Sequence, residues 1–206
     1  MTAGAERGPA LTKQQVLGAI RRGLRRGELS DREQAALRDR LATHARHLIP
    51  ARSRVSRPEQ TALFMANVEK EYGTVVRVRN VTMIPGAVAD YLASQNLTPE
   101  IVAAPHPEFD AIPWSERPLL RIRKGRAVPA DTVSFQQGFA GIAETGTVML
   151  PSSPERPTTL NLLAETEIVL LRTSRIVGAY EEAWDLLRAE RGGGDGFMPR
   201  NVMLVT

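Results

Sequence analysis

The sequence predicts an α/β fold: a mostly parallel sheet flanked by helices, preceded by an N-terminal helical arm. Three observations carry this reading. Up to Gly73 the chain shows helix-start signals followed by apolar residues at helical spacing. From Thr74 onward, short β-branched runs alternate with amphipathic stretches, the pattern of βαβ units. The charge shifts as well. Residues 1–60 hold 13 Lys and Arg against 6 Asp and Glu, a balance of +7, whereas residues 61–206 hold 14 against 17, a balance of −3. We divide the chain into a helical arm, residues 1–55, and an α/β domain, residues 56–206.

The first helix begins at a capping box of Thr12 with Gln15, and Leu11 and Val16 form a hydrophobic staple around it. Val16, Leu17, Ile20 and Leu24 make its apolar stripe. Ser30 and Glu33 form a second capping box, and the helix after it is expected to stop by Ile49, because Pro50 restricts its predecessor. Ser56 opens a third helix with Pro58 in its first turn, and Phe64, Val68 and Tyr72 recur at spacing four. Thr74–Val78 is expected to be a strand, 85–96 a helix and 100–104 a strand. A Pro-rich loop follows over 106–118. Further extended runs are expected at 119–122, 132–136, 140–150, 167–172 and 201–206. A helix covers 178–191, and Gly192–Gly196 is a glycine-rich loop.

Composition excludes several chemistries. The sequence has no cysteine, so there is no disulfide, no cysteine nucleophile and no thiolate for an iron–sulfur cluster. The histidines are His44, His47 and His106. Too few ligands surround them for a zinc site of ordinary make-up, and no metal is expected. No apolar run reaches the roughly 18–20 residues of a membrane span, and the N-terminus lacks a signal-peptide core; the expected location is cytoplasmic. The net charge is +4 and the pI about 9.9. The basic arm is read as a solvated or partner-facing surface rather than a nucleic-acid site, since no aromatic residues interleave with its arginines.

The most unusual chemistry lies in Gly138–Leu150. Gly141 and Gly146 bracket the carboxylate of Glu144, and the hydroxyls of Thr145 and Thr147 flank Gly146. Backbone N–H groups with these hydroxyls form a candidate cradle for a carboxylate or phosphate. Glu144 is a candidate base, nucleophile or hydrogen-bond acceptor. A tight turn between buried strands, with threonines serving the backbone, explains the same residues equally well. The spacing matches neither a P-loop nor a dinucleotide fingerprint.

The run Gly141-Ile142-Ala143-Glu144-Thr145-Gly146-Thr147-Val148-Met149-Leu150 resembles the signature of the LUD domain family, of the lactate-utilisation protein C type. Weaker likeness extends to Val16–Arg21, Thr158–Leu163 with the strand after it, and Met198–Val202. The resemblance implies a fold like the NagB/RpiA/CoA-transferase group. It also implies an accessory subunit in the iron–sulfur-dependent oxidation of L-lactate to pyruvate, with the clusters on partner subunits. The sequence departs from the family in two places. The family's Pro-x-x-His-Ile element is here Ala164-Glu165-Thr166-Glu167-Ile168, which puts Glu167 at the histidine position. The sequence also stops at Thr206, where a Gly-Pro-Ser-x-Thr segment usually begins.

Further candidates are weighed singly. Arg156, between Pro154 and Pro157, is either a bidentate partner for a substrate carboxylate or a solvated loop residue. His106 sits in the Pro-rich loop, and either Gln136 or Gln137 points into the same cleft if the strand alternates. His44 and His47 read as surface residues, Trp184 as core or a subunit contact, and Trp114 as a cleft cover. The leading function is thus an accessory subunit that binds a small carboxylate or other anion through Gly141, Thr145, Gly146, Thr147 and Arg156. The alternative is a stand-alone enzyme, CoA-transferase-like or sugar-phosphate-isomerase-like, using Glu144. Homo-oligomerisation stays open.

Overall fold

A computed structural model describes residues 12–191 and 198–206. Leu11, with its staple, and the Gly192–Gly196 loop lie outside the described residues. The chain divides into two compact units, residues 1–46 and 47–206.

The first unit holds α1 (Lys13–Gly23) and α2 (Asp31–Thr43). Both expected capping boxes form: Gln15 Oε1 accepts from the Thr12 N–H at 2.8 Å, and Glu33 Oε2 from the Ser30 N–H at 2.8 Å. Neither helix contains a buried residue. α2 ends at Thr43, well before Ile49. His44 adopts φ 49° and closes the helix with a left-handed residue, so Pro50 never has to terminate it.

The second unit contains two sheets. α3 (Arg57–Lys70) and α4 (Ile84–Ser94) precede β1 (Glu100–Ala103), β2 (Arg121–Lys124) and β3 (Val133–Gln137). Then come β4 (Ala140–Ile142), β5 (Thr147–Pro151), α5 (Thr159–Leu163), β6 (Thr166–Leu170), β7 (Ile176–Val177), α6 (Tyr180–Arg191) and β8 (Val202–Val205). The first sheet has the order β2-β1-β3-β6 and is parallel throughout. This is the expected parallel sheet with its helices. The second has the order β7-β4-β5-β8 and is mixed: β4 runs antiparallel to β5 and parallel to β7.

The chain changes sheets between Gly138 and Phe139. The Gly138 N–H still donates to Leu170 O of β6, at 3.0 Å, while the Phe139 N–H donates to Met149 O of β5, at 3.0 Å. Around the first sheet, Ile84, Val88 and Leu92 of α4 form one core with Val102, Val133 and Phe135. Trp114, partly buried, packs against this core and meets the Phe135 ring edge-on, 5.3 Å between ring centres. On the second sheet, Ala140, Ile142 and Met149 pack with Ala183 and Leu187 of α6, beside a partly buried Trp184. The opposite face of β4 meets α3, whose Phe64 joins Ala143 and Ile176.

The segment Thr74–Val78 is not a strand. Its β-branched residues satisfy the local preference, but a strand also needs a ladder partner, and the segment has none. It lines the wall of a cleft of 1130 Å³ that runs along β6. Short elements at α5 and β7 had no periodic signal to announce them.

Candidate functional site

The signature segment folds as a hairpin. β4 and β5 pair with Gly141 opposite Val148 and Ile142 opposite Thr147, and Ala143–Gly146 form the turn between them. The turn's amides are used inside the protein. Glu144 N–H donates to Gly178 O at 3.0 Å, and Gly146 N–H to Ile142 O at 3.0 Å. On the other side α3 grips the turn: Asn67 Nδ2 donates to Ala143 O at 2.8 Å and to Glu144 O at 3.2 Å. Both glycines are set by close approach. A Cβ on Gly141 would lie 2.7 Å from Leu171 Cδ2 and 2.9 Å from the Phe64 ring. Gly146 has φ +73°, and a Cβ there would lie 2.7 Å from Val68 N.

The Glu144 side chain is 10% exposed, and Oε1 accepts from Arg52 Nη2 at 2.7 Å; Arg52 itself is 64% exposed. Thr145 and Thr147 enter a cluster of hydroxyls. Their oxygens are 2.7 Å apart, Tyr180 Oη is 3.0 Å from the first and 2.8 Å from the second, and Thr206 Oγ1 lies 2.6 Å from Thr147. Thr147 is fully buried, so this network satisfies a hydroxyl that water cannot reach.

Arg156 makes its contacts elsewhere, at the carboxyl end of the parallel sheet. Its Nη2 donates to Gln137 Oε1, at the end of β3, at 2.7 Å, and its guanidinium stands 5.9 Å from the centre of the Phe139 ring. Gln137 Nε2 donates to Glu108 Oε2, and Arg172 pairs with Glu108 Oε1. His106 completes the group. Its Nδ1 accepts from the Glu108 N–H at 3.3 Å, and it caps the short helix Pro107–Ala111. Burial holds the His106 imidazole below its ordinary value, and the Arg156 guanidinium pushes the same way against the pull of Glu155 and Glu108. His106 and Glu108 follow β1, Gln137 ends β3 and Arg172 follows β6, so three parallel strands bring these to one rim, which Arg156 reaches from the loop after β5. In open α/β sheets that rim is where ligands bind.

The sequence singled out Arg156, His106 and Gln137 but not Arg172 or Glu108. The signal that would have found them is position: each directly follows a parallel strand or the turn after it. Tyr180 and Arg52 had no signal, since both reach the signature from distant points in the chain.

Gln136 points to the opposite face from Gln137. It is 1% exposed, and its Nε2 donates to Glu167 Oε1, which also accepts from Asn161 Nδ2 of α5 at 2.9 Å. Burial pushes the Glu167 carboxyl above its ordinary value, against these two hydrogen bonds.

His44 and His47 do not share a helix, because α2 ends before both. Among the described residues, no group of three or more His, Cys, Asp and Glu is placed to hold a metal ion. None of the described helices is long and apolar enough to cross a membrane.

Comparison with known proteins agrees with this architecture. A DUF162 family protein from Deinococcus radiodurans, known from its crystal structure, superposes with a TM-score of 0.57 at 20% identity. The match covers 73% of this chain and 88% of that one, and at this identity it speaks to the fold. An uncharacterised protein of Neisseria meningitidis serogroup B is 40% identical over 72 residues, which make up 35% of this chain. The chain spans under a third of that relative's length, 29%. Residues 126–206, which include the hairpin, Arg156 and Arg172, match the model of the LUD domain.

Proposed function

We propose that this protein is an accessory subunit of an iron–sulfur-dependent system that oxidises L-lactate to pyruvate, and that it binds a small carboxylate at the rim of its parallel sheet. The observation that carries the reading is the position of Arg156. It is held by Gln137 beside the Arg172–Glu108 pair, within the LUD domain and at the ligand-binding end of the fold. A planar guanidinium matches the geometry of a carboxylate, and the hydrogen bond to Gln137 fixes its orientation. Two clefts of 640 and 1130 Å³ are lined by other residues, and the proposed ligand of the rim is an acid of a few heavy atoms. The chain offers no thiolate, so the clusters that accept electrons reside on partner chains.

The signature hairpin then serves as the brace of the site. It sets β4 and β5, and with them Phe139 and the loop that carries Arg156. Glu144 acts by holding the hairpin to Arg52 rather than by meeting substrate.

The test is growth of a deletion strain on L-lactate as sole carbon source, complemented with wild type or with Arg156→Ala. The expected result is lost growth, restored by wild type and not by the variant at equal protein level. Unimpaired growth of the deletion strain, with no second copy in the genome, overturns the lactate role. Full restoration by Arg156→Ala overturns the rim as the site.

A further inference from the structure

We infer that the cleft along β6 is a slot for one more strand: an extended, largely aliphatic segment of a partner chain pairs with the free edge of β6 and with residues 74–78 on the opposite wall. The inference stands apart from the rim and from the acid proposed to bind there.

A count of main-chain hydrogen bonds carries it. β6 ends its sheet, with β3 on one side only. The Thr166 N–H donates to Thr132 O, and Leu170 O accepts from the Gly138 N–H. Alternate residues of a parallel strand turn their N–H and C=O groups to the same side, so Thr166, Ile168 and Leu170 serve β3 while Glu167 and Val169 turn theirs outward. Among the described residues, nothing pairs with the main chain of Glu167 or Val169 on that outer side. Residues 74–78 have the composition of a strand, and their main chain likewise makes no hydrogen bond among the described residues. Both stretches line the cleft of 1130 Å³. Backbone groups in folded proteins nearly all find partners. A strand between these two stretches supplies them, because it carries N–H and C=O groups along both of its edges.

The side chains state what kind of strand fits. On one face of β6, Ile168 and Leu170 pack with Ile84 and Val88 of α4. On the other face, Leu171 just past the strand packs with Phe64 and Val148. Ile84, Val88, Phe64 and Val148 all line the cleft, so an entering strand meets apolar groups on both of its faces, as an inner strand of a covered parallel sheet does. Arg77 and Arg79 also line the cleft, as does Glu165, and among the described residues these arginines form no ion pair with Glu165. An aliphatic run with an acid at one end and a base at the other matches both charges.

The experiment is an NMR titration of the intact, nitrogen-15-labelled protein with a capped peptide, Asp-Val-Thr-Val-Thr-Val-Thr-Val-Lys. Main-chain pairing supplies the affinity of an added strand, so a generic β-branched sequence is a sufficient probe. In the protein alone, the amides of Glu167 and Val169 are expected to exchange with deuterium faster than those of Ile168 and Leu170. With peptide they should slow, and the amide signals of residues 74–78 should shift. Methylating the peptide's valine amides blocks one of its edges and methylating its threonine amides blocks the other; each change should weaken binding about tenfold, the worth of one hydrogen bond. Val169→Pro removes only the outward N–H, which an edge strand tolerates, and should weaken binding alike, whereas Val169→Thr keeps the N–H and should bind as wild type does. If Val169→Pro does not fold, the two methylated peptides decide alone. Absence of binding at millimolar peptide, or binding that neither methylated peptide weakens, overturns the inference. Weakening by only one of them also overturns it, since the strand then has a single wall. Slow exchange at Glu167 and Val169 without peptide overturns the partner's segment as occupant: with dimers in sedimentation a second copy fills the slot, and in a monomer the chain fills it itself.

Discussion

Replacing Gly146 by alanine tests whether α3 and the signature turn fit together through the absence of a side chain. Gly146 sits at φ +73°, where an L-residue is strained by about 1–2 kcal/mol. Space is the larger obstacle. A Cβ would stand 2.7 Å from Val68 N and 2.8 Å from Asn67 C, both main-chain atoms of α3 that no rotamer change can move. Accommodation requires α3 to shift, and overpacking of this kind costs about 1–3 kcal/mol. The sum is roughly 2–5 kcal/mol. For a body of this size, each kcal/mol lowers Tm by about 2–4 °C, so a fall of roughly 4–20 °C is expected in a calorimetric melt. Gly146→Asn separates the two costs, because asparagine tolerates left-handed backbone but carries the same Cβ. It should melt nearly as low as the alanine variant. Near-wild-type melting of Gly146→Asn would refute the close-approach argument and leave backbone strain as the whole reason for glycine.

Two further predictions concern buried polar groups. Thr147→Val removes a hydroxyl that contacts Thr145, Tyr180 and Thr206, and should cost about 1–3 kcal/mol in urea denaturation, because the partners lose a buried hydrogen bond. Glu167→Gln should change how stability depends on pH. The folded-state carboxyl is raised above its ordinary value of 4.5, so the native state binds the extra proton and wild-type stability falls as pH rises from about 4.5 through the raised value. The variant should lack this slope. It should be the more stable relative to wild type at neutral pH, and the difference should shrink toward pH 4. Denaturation curves at several pH values check this, and parallel pH profiles for the two proteins would count against a raised carboxyl.

Much of the fold was legible because its signals are local. Thr12 with Gln15 and Ser30 with Glu33 announce their helices within a few residues, and the structure forms both boxes. The alternation after Thr74 gives the parallel sheet for the same reason: each βαβ unit carries its own periodicity. The misses share a cause of the opposite kind. Thr74–Val78 has strand composition, yet strand identity is decided by a neighbour, and no local pattern names the neighbour. α2 stops at His44 rather than near Pro50 because a left-handed residue can end a helix that composition alone would continue. That the extended stretch 140–150 belongs to a second, mixed sheet depends on one handover between Gly138 and Phe139, which two ordinary residues in sequence do not advertise.

The site divides along the same line. The signature drew attention because glycine, threonine and glutamate are crowded into ten residues, and crowding of that kind has two physical origins. One is a ligand that must come close; the other is a piece of the protein's own backbone that must. Here α3 approaches Gly146, Phe64 approaches Gly141, and Asn67 and Arg52 occupy the polar groups between them. The chemistry a ligand would have supplied is supplied by the chain. By contrast, the rim is assembled from single residues spread from His106 to Arg172, none unusual in its own neighbourhood. These residues come together only because β1, β3 and β6 run parallel and end on one side. On the proposed function, the conspicuous motif is the brace and inconspicuous residues face the ligand, because the parallel strands bring those residues together at one end of the sheet.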